Sequence, residues 1–140
     1  MAISRFDKRD IEEALCRLYD AIDGNHNAAG FAACFTEDGV FRARYGEFKG
    51  HAAIIEFLRG HIARGAEDGA RHMLTNFIID EKDGGAQIRC YLLKVVNDDF
   101  RVWIAGTSWI KARAVLADGR WLISDFDLKI ALKKPQAPLN

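Results

Sequence analysis

The second half of the sequence consists of long strand-like segments separated by turn signals, and this pattern restricts the fold most. The segments are rich in apolar, β-branched and aromatic residues, and the turns between them are Asp83-Gly84-Gly85, Asn97-Asp98-Asp99 and Asp118-Gly119. We predict strands over residues 72–81, 86–96, 100–113 and 120–132. Such strands exceed the usual ~5–6 residues, so the sheet must twist and curl strongly. A curved antiparallel meander follows.

The first half of the chain carries helical spacing instead. Residues 5–23 lack Gly and Pro and carry an apolar stripe at three- and four-residue steps, formed by Ile11, Leu15, Leu18, Tyr19 and Ile22. We predict further helices over residues 28–36 and 51–64, a short strand over 40–45 and a loop over 46–50. Helices followed by a curled sheet predict an α+β fold, in which a mostly antiparallel, cone-shaped barrel wraps around about three N-terminal helices. The mouth of such a cone suits a small molecule.

Length and charge favour one domain without a polyanionic partner. The chain has 140 residues and is 49% hydrophobic, which is enough for one core. We predict a single domain over residues 1–132 and a flexible tail over 133–140 that contains Pro135 and Pro138. Twenty basic residues balance twenty acidic ones, so neither nucleic acid nor an anionic membrane is favoured. No secretory signal or membrane-spanning run is present, so we expect a cytoplasmic protein.

The cysteines and most histidines give no sign of a metal site. Cys16, Cys34 and Cys90 are widely spaced and lack a CxxC pair, so we interpret them as buried free thiols. Three of the histidines lie on predicted surface helices or loops without ligand spacing: His26, His51 and His61. We therefore expect neither a metal nor another cofactor.

Two polar residues interrupt apolar surfaces and are candidates for chemistry. Asp23 continues the stripe of the first helix, four residues after Tyr19, and Gly24 ends that helix. His72 and Asn76 lie on one face of the first meander strand, at period two with apolar neighbours. A histidine held by a carboxylate is a general base. The spacing alone does not distinguish this from a solvated aspartate and a hydrogen-bonded structural histidine.

Several motifs together resemble the SnoaL-like branch of the nuclear-transport-factor-2-like superfamily. They are Leu18-Tyr19-Asp20-Ala21-Ile22-Asp23, the segment from Cys34 to Phe41, Gly50, Arg71-His72 with Asn76, and Asp118-Gly119-Arg120-Trp121. The resemblance spans nearly the whole chain and is greatest to the scytalone dehydratase and bile-acid dehydratase members. It implies a curved sheet against three helices with an internal apolar pocket, and cofactor-free chemistry.

The resemblance also implies roles for individual residues. His72 would remove a proton next to a carbonyl or leaving group, and Asp23 would orient it. Tyr19 would donate a hydrogen bond to a developing oxyanion, and Asn76 matches an asparagine of the dehydrochlorinase members. Two positions depart from the superfamily, because the isomerase base falls at Ala43 and the dehydrochlorinase arginine falls at Phe126.

We expect apolar side chains to line the pocket. The substrate-binding candidates, besides Asn76, are Phe41, Tyr45, Leu58, Tyr91, Trp103 and Phe126. Further expected lining residues are Ile22, Phe35, Ala43, Ile62, Ala70 and Ala105. Whether Trp103 or Trp109 faces inward stays open, because Gly106 is a candidate bulge. Strand alternation predicts that Arg42 and Arg44 point away from the pocket, and Asp125 and Asp127 are expected on the outer face.

Two functions are compatible with these residues. The first is a lyase of the dehydratase type, in which general-base elimination acts on an apolar cyclic substrate. The second is a non-catalytic module, either a small-molecule-binding protein or a scaffold like a dioxygenase small subunit. The superfamily implies a homodimer or homotrimer, which would also cover apolar side chains on the outer sheet face.

Overall fold

The computed structural model of the chain describes residues 2–130 as a six-stranded sheet with three helices. The helices are α1 (Arg5–Ile22), α2 (Ala28–Ala32) and α3 (His51–Ala63). The strands are β1 (Phe35–Ala43), β2 (Gly46–Lys49), β3 (Ala70–Lys82), β4 (Gly85–Asn97), β5 (Val102–Ala117) and β6 (Arg120–Ile130). The predicted tail over residues 133–140 lies outside the described residues. None of the helices within residues 2–130 is both long and apolar enough to cross a membrane.

The sheet is curved and open, with strand order β2-β1-β6-β5-β4-β3. The strands β3 to β6 pair antiparallel with their sequence neighbours, as does β1 with β2, and β1 pairs parallel with β6. The helices pack against the inner face, and the core cluster joins the stripe of α1 to inward-facing residues of every strand except β2. The predicted α+β fold is confirmed, and the four meander strands lie where the sequence placed them to within a few residues.

The first helix is fixed at both ends. The Ser4 hydroxyl accepts a hydrogen bond from the Asp7 backbone N–H (3.0 Å), and the Asp7 carboxylate accepts one from the Ser4 N–H (2.8 Å). This capping box satisfies donors that the first turn leaves free. At the other end, the Asp23 N–H donates to the Tyr19 carbonyl (2.8 Å), and Gly24 adopts a left-handed φ of 74°. The helix therefore ends with Asp23 at the edge of its buried stripe.

Two local predictions in the first half are wrong. The predicted helix over residues 28–36 ends at Ala32, and β1 already begins at Phe35. The Cys34 carbonyl accepts a hydrogen bond from the Ile123 N–H (2.9 Å), so pairing with β6 draws this segment into the sheet. The predicted loop over residues 46–50 contains the edge strand β2, which pairs Phe48 with Phe41. Both differences arise from long-range pairing.

The outer face of the sheet exposes large apolar side chains. Tyr91 on β4 and Trp109 on β5 are cross-strand neighbours and are 54% and 62% exposed. The homodimer or homotrimer expected from the sequence stays a prediction.

The free cysteines differ in burial. Cys90 is buried, Cys34 is half-buried and Cys16 is exposed, so the expectation of buried thiols is wrong for Cys16. Burial raises the pKa of the Cys90 thiol to about 12, which keeps this group protonated and unreactive at neutral pH.

Candidate active site

A cavity of about 620 Å³ lies between the helices and the inner face of the sheet. Its apolar lining includes Ile22, Phe31, Phe41, Phe57, Leu58, Leu92, Ile104 and Leu128. Its polar and charged lining includes Tyr19, Arg44, Tyr45, His61, Glu67, His72, Lys94, Thr107 and Ser108. The volume is typical of sites for small organic ligands.

Asp23 and His72 are joined by two hydrogen bonds. One Asp23 carboxylate oxygen lies 2.6 Å from His72 Nδ1, and the other accepts the His72 backbone N–H at 2.8 Å. Their side chains are 12% and 8% exposed. An ionised carboxylate only accepts hydrogen bonds, so this contact places the His72 proton on Nδ1 and leaves Nε2 with its lone pair.

The fold brings these two residues together from positions 49 apart in sequence. Asp23 is held by the end of α1, and His72 lies near the start of β3, which is an edge strand. An edge strand leaves outward N–H groups without a ladder partner. The Asp23 carboxylate satisfies one of them and orients the imidazole in the same contact.

Tyr19 covers the flat face of His72. The two rings stack with centroids 4.5 Å apart and an interplanar angle of 22°. The Tyr19 hydroxyl is buried and has no hydrogen-bond partner. Burial, with smaller contributions from Cys90, Glu67 and Asp23, raises the Tyr19 pKa well above its ordinary value of 10. The phenol is therefore a protonated donor beside the imidazole.

Glu67 belongs to the site and was missed by the sequence analysis. It is 6% exposed, although it lies in the turn between α3 and β3. Its Oε2 is 3.7 Å from His72 Nε2 and has no hydrogen-bond partner. Its Oε1 lies 3.4 Å from Lys94 Nζ and 3.5 Å from His61 Nε2. A second carboxylate thus faces the side of His72 opposite to Asp23.

His61 and Lys94 hold Glu67 in place and also line the cavity. The Lys94 ammonium donates to the Ala66 carbonyl (2.9 Å) as well as facing Glu67. Burial is the largest influence on the His61 pKa and lowers it from 6.5; nearby cations act in the same direction and Glu67 opposes them. The expectation that His61 lies on an unremarkable surface helix is therefore wrong.

Three of the predicted substrate-binding residues lie outside the cavity lining. Asn76 has a φ of 59° and forms a bulge between Thr75 and Ile78, which reverses the alternation of β3 and leaves Asn76 exposed. Tyr91 lies on the outer face. Trp103 precedes the register shift near Gly106 and is 40% exposed. The suspected bulge is real, since the register shifts between Ile104 and Gly106. Trp109 lies on the outer face, and neither Trp103 nor Trp109 lines the cavity.

The remaining predicted residues lie in or directly behind the cavity wall. Phe41, Tyr45 and Leu58 line the cavity, and Phe126 is fully buried behind it, 5.5 Å from the Phe41 ring. Three further predicted positions also line it: Ile22, Ala43 and Ala105. Phe35, Ile62 and Ala70 are not among its lining residues.

Of Arg42, which lies on β1, and Arg44, which directly follows β1, only Arg42 is placed as expected. Arg42 forms ion pairs with Asp125 and Glu47 on the outer face, in agreement with the prediction for Asp125. Arg44 lines the cavity, against the prediction, and donates to the Tyr45 hydroxyl (2.6 Å).

The cluster also resembles a set of metal ligands by composition. Asp23, Glu67 and His72 place potential ligand atoms within 4.8 Å of one another. Both Asp23 oxygens already accept hydrogen bonds from His72, and Glu67 faces the Lys94 ammonium. These contacts account for the grouping, so we interpret it as an acid–base cluster.

Comparison with known proteins agrees with this architecture. The family model of the SnoaL-like domain matches residues 5–127. A protein of unknown function with a cystatin-like fold from Nostoc punctiforme is 24% identical, with a TM-score of 0.85 over 100% of both chains. A Catenulispora acidiphila structure in complex with S-DNPA is 25% identical, with a TM-score of 0.81 over 91% of this chain and 95% of that one. ActVI-ORFA from Streptomyces coelicolor is 22% identical, with a TM-score of 0.79 over 89% and 97%. No curated protein matches the chain.

Proposed function

Because the chain belongs to the SnoaL-like domain family, we propose that it is a cofactor-free lyase acting on an apolar cyclic small molecule. The reaction is the elimination of water, or of another leaving group, from the carbon β to a carbonyl. His72 acts as the general base of this reaction.

The hydrogen bond between Asp23 and His72 carries the proposal. It fixes the imidazole with its proton on Nδ1, at 2.6 Å from the carboxylate, so that Nε2 is the basic atom. Nε2 lies beyond hydrogen-bond distance from Glu67, at 3.7 Å. A base of this kind contributes about 10²- to 10⁴-fold to a rate.

In this proposal each step is assigned to one side chain. His72 Nε2 takes the proton from the carbon next to the carbonyl, and Asp23 stabilises the imidazolium that forms. The electrons of the C–H bond move toward the carbonyl oxygen, where the buried Tyr19 hydroxyl donates a hydrogen bond. That hydroxyl has no other partner, and removing a donor of this kind typically costs ~10²- to 10³-fold in rate. Loss of the β leaving group completes the elimination.

The cavity suits a ring system. Its walls are formed largely by aromatic and aliphatic side chains, and its volume of about 620 Å³ is within the range for drug-sized ligands. Small-molecule binding by a relative also supports the proposal, since the Catenulispora acidiphila structure holds S-DNPA.

A spectrophotometric screen tests this function. Cyclic β-hydroxy ketones of one to three rings would be incubated with the protein, and the conjugated enone formed by dehydration would be followed by its ultraviolet absorption. We expect turnover by the wild-type protein and a loss of about 10²-fold or more in His72→Gln. His26→Asn is the matched control, because His26 has a φ of 48°, which asparagine tolerates, and lies outside the cavity lining.

Three results would count against the proposal. A folded His72→Gln variant with full activity would exclude this base. Saturable binding of the ketones without turnover would favour the non-catalytic binding module. Co-purification with a large oxygenase subunit would favour the scaffold role.

A further inference from the structure

Glu67 is a buried carboxylate to which the elimination proposed above assigns no role. Its Oε2 is buried without a hydrogen-bond partner. Such an atom costs free energy of folding, and a functional role is one explanation for its presence. The atom it faces is the basic nitrogen of His72, at 3.7 Å. This distance is about 0.5 Å longer than a hydrogen bond allows, so a small movement would bring the two atoms within reach for proton transfer.

The neighbours of Glu67 fix its other oxygen and leave Oε2 available. Lys94 and His61 both contact Oε1, at 3.4 and 3.5 Å. The Arg64 guanidinium lies 3.4 Å from His61 Nδ1, and because arginine only donates, His61 accepts there. The His61 Nε2 atom faces Glu67 Oε1. His61 thus lies against the Oε1 side of Glu67, away from Oε2.

The charges of the cluster leave room for one shared proton. Among the groups within 4 Å of Glu67 or His72, Asp23 and Glu67 supply two carboxylates and Lys94 supplies one ammonium. One additional proton would make the cluster neutral, and burial in an apolar cavity favours neutral groups. The facing lone pairs of His72 Nε2 and Glu67 Oε2 are the place for it.

We propose that Glu67 is a second catalytic acid–base group, which shares one proton with His72 and delivers it to the leaving oxygen. This inference rests on the proposed elimination, and it assigns the group that protonates the leaving oxygen. In the resting site the proton is on Glu67 Oε2.

The proton and electron balance closes without another reactant. His72 Nε2 takes the proton of the C–H bond, and the electron pair of that bond forms the C=C bond. The C–O bond breaks with its electrons on oxygen, and Glu67 Oε2 gives its proton to that oxygen, so water leaves. The new proton on His72 Nε2 then crosses to Glu67 Oε2, which restores the starting state.

Infrared difference spectroscopy tests the shared proton without any substrate. Wild-type protein minus Glu67→Gln should show the C=O stretch of a protonated carboxylic acid at neutral pH, shifted in ²H₂O. The matched control, Glu47→Gln, removes an exposed carboxylate that pairs with Arg42, and its difference spectrum should show loss of an ionised carboxylate instead. Absence of the protonated band in the Glu67 difference spectrum would overturn the proposal.

Kinetics on a substrate found in the screen test the catalytic role. Glu67→Gln should lower kcat about 10²-fold with little change in KM, and Glu67→Asp should recover part of the loss. The pH–rate profile of the wild type should differ from that of Glu67→Gln. The charged or titratable groups around Glu67 are His61, Lys94, His72, Asp23, Tyr19, Arg44 and Arg64, so the profile is compared with that of His61→Gln.

The leaving group separates this inference from the proposed function. Replacing the hydroxyl of the substrate by chloride, which leaves without a proton, should abolish most of the effect of Glu67→Gln and none of the effect of His72→Gln. Equal losses for both leaving groups would overturn the role of Glu67. Activity that depends on His72 but not on Glu67 would refute this inference alone, and a protonated carboxyl band without any turnover would refute the proposed function alone.

Discussion

Replacing Asp23 by asparagine should reverse the tautomer of His72 while leaving the fold intact. The Asp23 carboxylate accepts two hydrogen bonds, from the His72 backbone N–H at 2.8 Å and from His72 Nδ1 at 2.6 Å. The backbone group can only donate, so the asparagine oxygen must stay there and its NH₂ must face Nδ1. Nδ1 then becomes the acceptor, and the proton moves to Nε2.

The expected losses of stability and of kcat both follow from this change of hydrogen bonds. Two charge-assisted hydrogen bonds become neutral ones, which are each weaker by roughly 1 kcal/mol, so the free energy of unfolding should fall by about 1–3 kcal/mol. With its proton on Nε2, His72 has no lone pair facing the cavity. The corresponding wrong tautomer in serine proteases costs on the order of 10⁴-fold in kcat, and we expect a loss of roughly 10³- to 10⁴-fold here.

Two assays follow the change. Ring nitrogen NMR of protein labelled with ¹⁵N-histidine reports the tautomer directly, and initial rates of enone formation report the base. Asp20→Asn, at an exposed position on the same helix, is the control and should change neither. The reasoning fails if Asp23→Asn keeps the proton on Nδ1, or if it carries that proton on Nε2 and still turns over at the wild-type rate.

Three further predictions concern the cavity and its walls. Tyr19→Phe should unfold at the same or a higher denaturant concentration than the wild type, because it removes a buried hydroxyl without a partner. Its kcat should nevertheless fall about 10²-fold. An unchanged kcat would remove Tyr19 from the mechanism. Phe126→Ala should lower the free energy of unfolding, measured by urea titration, by about 3–5 kcal/mol. The reason is that Phe126 is fully buried and its ring contacts Tyr19, Phe35 and Phe41. A loss below about 1 kcal/mol would show that Phe126 is not part of the core. Burial is the main reason why the His61 pKa is lowered from 6.5. As pH falls below about 6.5, the unfolded chain therefore takes up a proton before the folded chain does, and the free energy of unfolding decreases. His61→Gln should therefore lose less Tm between pH 7.5 and 5.5 than the wild type, and an equal loss would contradict this.

The sequence predicted the fold where local pattern and tertiary context agree. Long apolar strands separated by turns rich in Asp, Asn and Gly predicted β3 to β6, and the uninterrupted stripe of α1 predicted Asp23 at its end. The two early errors, at the end of α2 and at β2, arise where pairing with a distant strand overrides local spacing. No window of sequence around Phe35 contains its partner Ile123.

The candidate site was predicted in part, for physical reasons that differ by residue. Asp23, His72 and Tyr19 lie together, as the resemblance implied. Asn76 was wrongly predicted to face the cavity, because one bulged residue exchanges the faces of a strand. The neighbouring sequence does not predict this bulge.

Two further members of the site, His61 and Lys94, could have been predicted from their spacing in the sequence. His61 lies three residues after the buried Leu58 on α3, and Lys94 lies at period two with the buried Cys90 and Leu92 on β4. These spacings place both side chains on inner faces. Glu67 is different, because its burial depends on the path of the turn between Gly65 and Gly69 and on partners from two other elements, which no local pattern records.

Proton exchange tests the general base most directly, because it isolates the first step from the leaving group. A panel of apolar bicyclic and tricyclic ketones without a β leaving group would be incubated in ²H₂O, and replacement of the hydrogen next to the carbonyl by deuterium would be followed by NMR. The account predicts exchange catalysed by the wild-type protein and reduced about 10²-fold or more in His72→Gln. Exchange at equal rates in both proteins, for ketones shown to bind in the cavity, would contradict His72 as the base.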